Sequence, residues 1–362
     1  MRRAWWYGAL AISAALGSGC GVEGVETVED VPAEAEAEAE VAQAPSPAAP
    51  VGATDIGISC PPGGGGPRIV RLSDVMPGAC NDQLALQNII FDIGAYGKLI
   101  IDKPCELDAG IRLPNPFTLS GLNDAGAGQI VFSNDGIGIS VCQELPRQNV
   151  TIEDLAIFGP YAYETKTNPV TATHSIGIAL ANLNIVHLNR VRVTDFYVGL
   201  KGTSSFSVDI NDSNISVSRQ DNIVVGYNSN GWRIRDGLSS QATRYGINVL
   251  GPGDAEVLVN VDGQGHDANT SNDLLIDGVR MESNGQAAIR SAAHSTRIVN
   301  NRFEGNGAAA GLAYRPAVHL TGAAQSARVL TNLFGGTGAD CLRNQGVSTQ
   351  TSLNIPVGIG CI

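Results

Sequence analysis

The chain has 362 residues, 43% apolar and 16% charged, with 44 glycines against 8 phenylalanines and 3 methionines and a formal net charge of −12. That apolar content excludes a disordered acidic chain, the glycine excess disfavours a helical bundle, and the negative charge argues against nucleic acid, whose phosphates are held by clustered Lys and Arg. The length allows two average domains or one elongated domain of repeated units, and no apolar run of about 20 residues is present to span a bilayer as a helix.

At the N-terminus Arg2 and Arg3 precede an apolar stretch, Ala4 to Leu16, which closes on Gly17-Ser18-Gly19-Cys20. A basic start, a short apolar core and small residues before a cleavage point make a secretory signal over residues 1–19. A cysteine directly after the small residues resembles the bacterial lipoprotein signal, which implies that Cys20 is lipidated and becomes the first residue of the mature chain. The alternative is an ordinary secreted protein in which Cys20 is incidental. Residues 20–54 read as a tether. Eight acidic residues fall between Glu23 and Glu40 with no cation among them, and Ala-Pro-Ser-Pro-Ala-Ala-Pro follows. Such a segment repels itself and has no apolar face to bury, so it is expected to stay extended. Much of the net charge therefore belongs to the leash and says little about a ligand. Residues 55–80 read as a linker leading into the first coil.

Apart from Cys20, the cysteines are Cys60, Cys80, Cys105, Cys142, Cys341 and Cys361. An even number in an exported chain predicts up to three disulfides, with Cys341–Cys361 expected to clamp the C-terminal end. No Cys-x-x-Cys or His-x-x-x-His spacing points to zinc.

Leu86, Ile89, Ile90 and Ile93 follow Asn81-Asp82 at helical spacing, which predicts one amphipathic helix laid over the first coil. Short apolar strands come next, at Lys98–Asp102, Gly110–Pro114 and Phe117–Gly121. Farther on the chain repeats itself. Arg280-Met-Glu-Ser-Asn-Gly285 returns 22 places later as Arg302-Phe-Glu-Gly-Asn-Gly307, and Ile276 falls on Ile298. The same frame takes in Val150–Asp154, Val186–Arg190, Val208–Asp212, Trp232–Asp236 and Arg328–Asn332. Several short alternating strands per repeat, with no helix between them, predict a parallel β-solenoid. Asn284 and Asn306, each before a glycine, suggest a side-chain amide ladder in a left-handed turn position.

Asn81 to Ile90, Gly97 to Ile101 and Ile111-Arg-Leu-Pro-Asn-Pro-Phe-Thr-Leu-Ser-Gly121 together resemble the first coil of the pectate-lyase-like superfamily. The resemblance covers roughly residues 80–345. It implies an all-β, single-domain, right-handed parallel β-helix over residues 81–362, capped by the N-terminal helix. That superfamily includes polysaccharide lyases, hydrolases, epimerases and phage tailspikes. Its catalytic patterns are mostly missing here: there is no Asp-Asp pair, no Gly-His-Gly, no Arg-x-Pro-x-x-Arg and no Asp-Pro-His.

Candidate chemistry therefore comes from stacking the coils. Residues beside an inward Ile or Val point outward, and equivalent positions one coil apart should sit about 5 Å from each other. One column reads Thr151, His187, Asp209, Arg233, and later Arg297 and Arg328; its neighbour reads Glu153, Asn189, Asn211, Arg235 and Asp277. In the catalytic reading His187 takes the proton next to a uronate carboxylate. Arg233 and Arg235 neutralise that carboxylate, Asp209 orients the histidine, and Asn189 and Asn211 contact substrate. In the bland reading the columns are surface ladders of compensated charge. Arg192, Arg280 and Arg302, with Glu282 and Glu304, form a further column that reads first as cross-strand pairing.

Two insertions interrupt the repeat. Gly159 to His174 carries Tyr161 and Tyr163, whose rings either stack on sugar or pack on their own coil. Gly251 to Asp273 carries Asp262, Asp267 and Asp273, weak calcium candidates whose spacing matches no calcium motif. No other cofactor is implied. The expected function is an exported or envelope-anchored protein that binds, and in one reading cleaves by lyase-like or hydrolase-like chemistry, an acidic, uronate-containing polysaccharide. The membrane would be reached only through the lipid anchor. The alternative is a non-catalytic surface solenoid contacting envelope or matrix components.

Overall fold

Among the described residues, short strands with buried side chains at alternate positions stack into three parallel sheets: sheet I of eleven strands, sheet II of ten and sheet III of nine. The chain lays one strand in each sheet in turn. Asn184–Asn189 belongs to sheet I, Arg192–Thr194 to sheet II and Val198–Thr203 to sheet III, before Phe206–Asn211 lands on Asn184–Asn189. This is a parallel β-helix, seen in a computed structural model that describes residues 68–122, 128–142, 149–161, 174–251, 254, 271–307, 316–335 and 341–356. All of these lie in the unit Ala49–Ile362. The signal segment, Cys20 and the tether fall outside the described residues. None of the described helices is long and apolar enough to cross a membrane.

The repeat read from the sequence is the stacking register. Ile276 lies opposite Ile298, and Met281 opposite Phe303, on adjoining coils. All four side chains are buried in one continuous core, in which the Phe303 and Phe334 rings stack at 4.9 Å. The first rung starts earlier than the capping helix: Ile69–Arg71 pairs with Gly97–Ile101 in sheet I, and a single helical turn, Leu72–Val75, follows it.

The capping helix runs Gln83–Ile93, with the Asp82 side chain accepting the Ala85 N–H at 2.9 Å. Leu86, Ile90 and Ile93 bury the apolar stripe. Gln87, which the apolar spacing did not single out, protects the first edge of sheet III. Its Nε2 donates to the Arg112 carbonyl at 2.9 Å and its Oε1 accepts the Arg112 N–H at 2.7 Å, so two backbone groups of the edge strand Ile111–Leu113 are satisfied. A disulfide joins Cys80 to Cys105, and Cys142 is disulfide-bonded as well. The expected Cys341–Cys361 clamp lies outside the described residues, since Cys361 is not among them.

Sheet I passes to sheet II through one residue in the left-handed region on eight successive rungs: Asp154, Arg190, Asp212, Asp236, Gly278, Asn300, Thr331 and Leu353. The next residue turns inward, and where it is polar its side chain serves the corner. Asn301 is buried; its Oδ1 accepts the Val279 N–H at 2.9 Å and its Nδ2 donates to the Ile276 carbonyl and to Asn332 Oδ1, both at 3.0 Å. A second ladder runs from Asn284 Nδ2 to Asn306 Oδ1 at 2.8 Å. The amide ladder expected from Asn284 and Asn306 is present, but the left-handed positions are Ser283 and Gly305, one residue earlier. The amides can serve the ladder because they sit inside the corner rather than on it. Asn301→Ala leaves the Val279 N–H and the Ile276 carbonyl without these partners, so it is expected to lower stability by about 1–3 kcal/mol in thermal or denaturant unfolding.

Three consecutive strands of sheet III are withdrawn from solvent on their outer face as well. Ile176–Ala181, Val198–Thr203 and Asp221–Val225 are buried along their whole length. Ile176, Ala179, Val198, Val224 and Leu250 form a second apolar cluster there, apart from the core.

Candidate functional site

The chemistry-bearing side chains stand on sheet I because their strands alternate. Val186, Leu188, Val208, Ile210 and Ile234 point into the core, so His187, Asn189, Asp209, Asn211, Arg233 and Arg235 point out. His187 lies opposite Asp209 and Asp209 opposite Arg233, while Asn189, Asn211 and Arg235 are matched in the neighbouring column. All six residues are thus brought together on three consecutive rungs. Leu275 interrupts the first column beyond Arg233, and Arg297 and Arg328 resume it.

His187 Nδ1 stands 3.6 Å from Asp209 Oδ2, an electrostatic contact longer than a hydrogen bond. The other carboxylate oxygen, Oδ1, is buried and has no hydrogen-bond partner. Among the described residues neither Arg233 nor Arg235 is ion-paired. Asp209 and Arg233 line a groove of about 290 Å³ together with Phe206, Ser207, Asn230, Gly231 and Asp273. Ser207, Gly231 and Asp273 are the left-handed corner residues where the chain enters sheet I, at φ of 52°, 69° and 51°. Stacking arithmetic within strands does not reach them. Their signal in the sequence is a small or polar residue shortly before each Val or Ile of the frame.

Several neighbouring polar side chains are already paired. Asn211 Nδ2 donates to Asn189 Oδ1 at 3.1 Å, Lys98 pairs with Glu153 at 2.7 Å, and Asn300 donates to Asp277 at 2.9 Å. Asn189 and Asn211 therefore reach a ligand only with their remaining hydrogen-bonding capacity. On sheet II Arg280 lies opposite Arg302 and Glu282 opposite Glu304. Arg280 reaches Glu304 at 3.2 Å and also pairs with Glu282, and Arg302 pairs with Glu304. Partial burial and the neighbouring Glu304 raise the Glu282 carboxyl above the usual range, while hydrogen bonds from Glu282 and Arg302 lower that of Glu304. This column is a pairing ladder.

Tyr161 is 3% exposed, with Arg219 seated over its ring at 5.2 Å, so it does not offer an open face for sugar stacking. Burial raises its hydroxyl well above the ordinary tyrosine value. Tyr163, Asp262 and Asp267 lie outside the described residues. Asp273 already faces a cation, Arg297 at 3.0 Å, which counts against it as a calcium ligand. Among the described residues no three His, Cys, Asp or Glu side chains gather as a metal site.

The sequence reading missed a second polar cluster. Asp221, fully buried, accepts from Arg244 at 2.9 and 2.5 Å, from the Tyr245 N–H at 3.1 Å and from Asn248 at 3.0 Å. Asn248 accepts from Arg290 at 3.1 Å, and Arg290 grips Asp254 at 3.0 and 2.5 Å, near the start of the Gly251–Asp273 insertion.

Among solved structures the chain is similar to ORF18 of Geobacillus virus E2, with a TM-score of 0.56 and 13% identity over 78% of this chain and 60% of that one. It is also similar to the enzymatically active domain of tailspike protein 2 from bacteriophage CBA120, with a TM-score of 0.53 and 13% identity over 79% of this chain and 46% of that one. The chain thus spans less than two thirds of either protein. DFA-IIIase from Arthrobacter chlorophenolicus A6 overlaps more loosely, with a TM-score of 0.46 and 9% identity over 78% of this chain and 93% of that one, and adds nothing to the assignment. No protein-family model and no curated protein matches the chain. The structural likenesses make the fold a right-handed parallel β-helix.

Proposed function

We propose that this protein binds an acidic polysaccharide along the outer face of sheet I, with His187 placed to cleave it by β-elimination. The observation that carries the reading is the succession His187, Asp209, Arg233 on adjoining rungs, beside a groove holding an unpartnered carboxylate oxygen and an arginine with no ion pair among the described residues. Arg233 and Arg235 receive the uronate carboxylate and stabilise the charge that builds when the adjacent C–H proton leaves. His187 takes that proton, the C–H electron pair becomes the new C=C bond, and the glycosidic C–O bond breaks. The departing oxygen takes a proton from water. The fold shared with a tailspike domain described as enzymatically active is compatible with this chemistry and does not assign it.

A panel of uronate-containing polysaccharides, followed by retention on a glycan array and by the absorbance of the unsaturated product, tests the reading. Growth of absorbance supports cleavage, and retention without growth supports binding alone. Absence of both growth and retention supports the second reading, a structural solenoid, which the side-chain pairing on sheets I and II favours. Export through residues 1–19 and lipidation of Cys20 belong to the same proposal. The mass of the mature N-terminus checks them: a diacylglyceryl Cys20 is expected, and an unmodified chain starting elsewhere refutes the anchor.

A further inference from the structure

A polar cleft of about 190 Å³ opens where sheet II turns into sheet III, at the opposite end of the sheet III strands from the groove. Three successive corners build its floor: Asp195, Val217 and Gln241, at φ of 66°, 59° and 57°. A β-branched residue is disfavoured in that conformation, so Val217 is held there by the rungs above and below it. Tyr161 forms one wall with Arg219 over its ring, and Thr243 forms another. Ser218, 2% exposed, also lines the cleft, and its hydroxyl oxygen is buried with no hydrogen-bond partner.

We infer that this cleft is a second ligand site, which takes one neutral sugar unit. Its volume is below the roughly 300–1,000 Å³ of sites for drug-sized ligands, so it accepts a single ring rather than an oligomer. Its lining residues carry a carboxylate, a guanidinium, a primary amide and three hydroxyls, those of Tyr161, Ser218 and Thr243, groups that accept from and donate to vicinal hydroxyls. The one carboxylate and the one guanidinium balance, which favours a neutral polyol over a uronate. Val198–Thr203, six residues of extended strand or about 20 Å, separates the two corners, so the cleft stands independently of the groove and of the function proposed for it.

Saturation-transfer NMR on the whole protein with D-glucose, D-galactose, L-rhamnose, N-acetyl-D-glucosamine and D-galacturonate tests the inference. At least one neutral sugar is expected to receive saturation, with the signal falling about tenfold in Gln241→Asn, which shortens the amide yet tolerates a left-handed corner. Ser218→Ala, which removes a hydroxyl with no partner to lose, is expected to weaken the same signal, whereas Asp212→Asn, an exposed corner of sheets I and II, leaves it unchanged. The inference is overturned if no neutral sugar receives saturation, or if the signal persists in both cleft variants while circular dichroism shows them folded.

Discussion

Asp221→Ala is expected to lower unfolding stability by about 3–5 kcal/mol, or roughly 6–20 °C in Tm. Asp221 is 0% exposed, and four donor groups converge on its two oxygens: two of Arg244, the Tyr245 N–H and the Asn248 amide. Burial works against a charged Arg244, but the bidentate pairing with Asp221 outweighs it and holds the guanidinium above its ordinary pKa. Without the carboxylate, that cation stays three-quarters shielded with no counter-charge, and its stacking on the Tyr245 ring at 4.9 Å does not replace one. Removing both charges with Asp221→Ala and Arg244→Leu should restore part of the loss, because a missing buried pair is cheaper than half of one. Thermal melts followed by circular dichroism decide the matter: a loss below about 1 kcal/mol in the single variant would show that the pair is not what holds these rungs. The effect should also reach the insertion, since Asn248 links Asp221 to Arg290 and through it to Asp254.

The second large effect concerns the groove. Arg233→Ala with Arg235→Ala should weaken retention of a uronate polysaccharide at least tenfold, as each lost charge-assisted contact is worth about 1.5–3 kcal/mol. His187→Ala should leave retention intact and reduce formation of the unsaturated product by about 10²–10⁴-fold, the usual worth of a positioned general base. The two variants separate binding from proton transfer, because His187 and Arg233 lie two rungs apart with Asp209 between them. Unchanged product formation in His187→Ala removes the histidine from the chemistry, and unchanged retention in the double arginine variant removes the groove as the uronate site. Stability should move little in either case, since His187 and Arg233 are partly or largely exposed and neither is held by a close hydrogen bond among the described residues.

The resemblance of the first coils, the 22-residue step and the inward–outward alternation were enough to place His187, Asp209 and Arg233 on adjoining rungs before any coordinates. They were not enough for Tyr161, whose ring is covered by Arg219 from a coil reached only after the first insertion. Nor did they show Gln87, because a polar residue on an apolar helix stripe gives no hint that the edge of a sheet lies beneath it.

The amino-acid sequence by itself determined the winding of this protein, because side chains in a strand alternate with a period of two and a repeated frame makes every coil align its apolar residues with those of the last. Tertiary structure alone decided which polar groups meet across insertions and corners. Asp273 reaches the groove of Asp209, and Arg290 reaches Asp254, only once the coils that carry them are stacked on one another. Those meetings depend on where each corner aims its side chain in space, a property that local pattern does not carry.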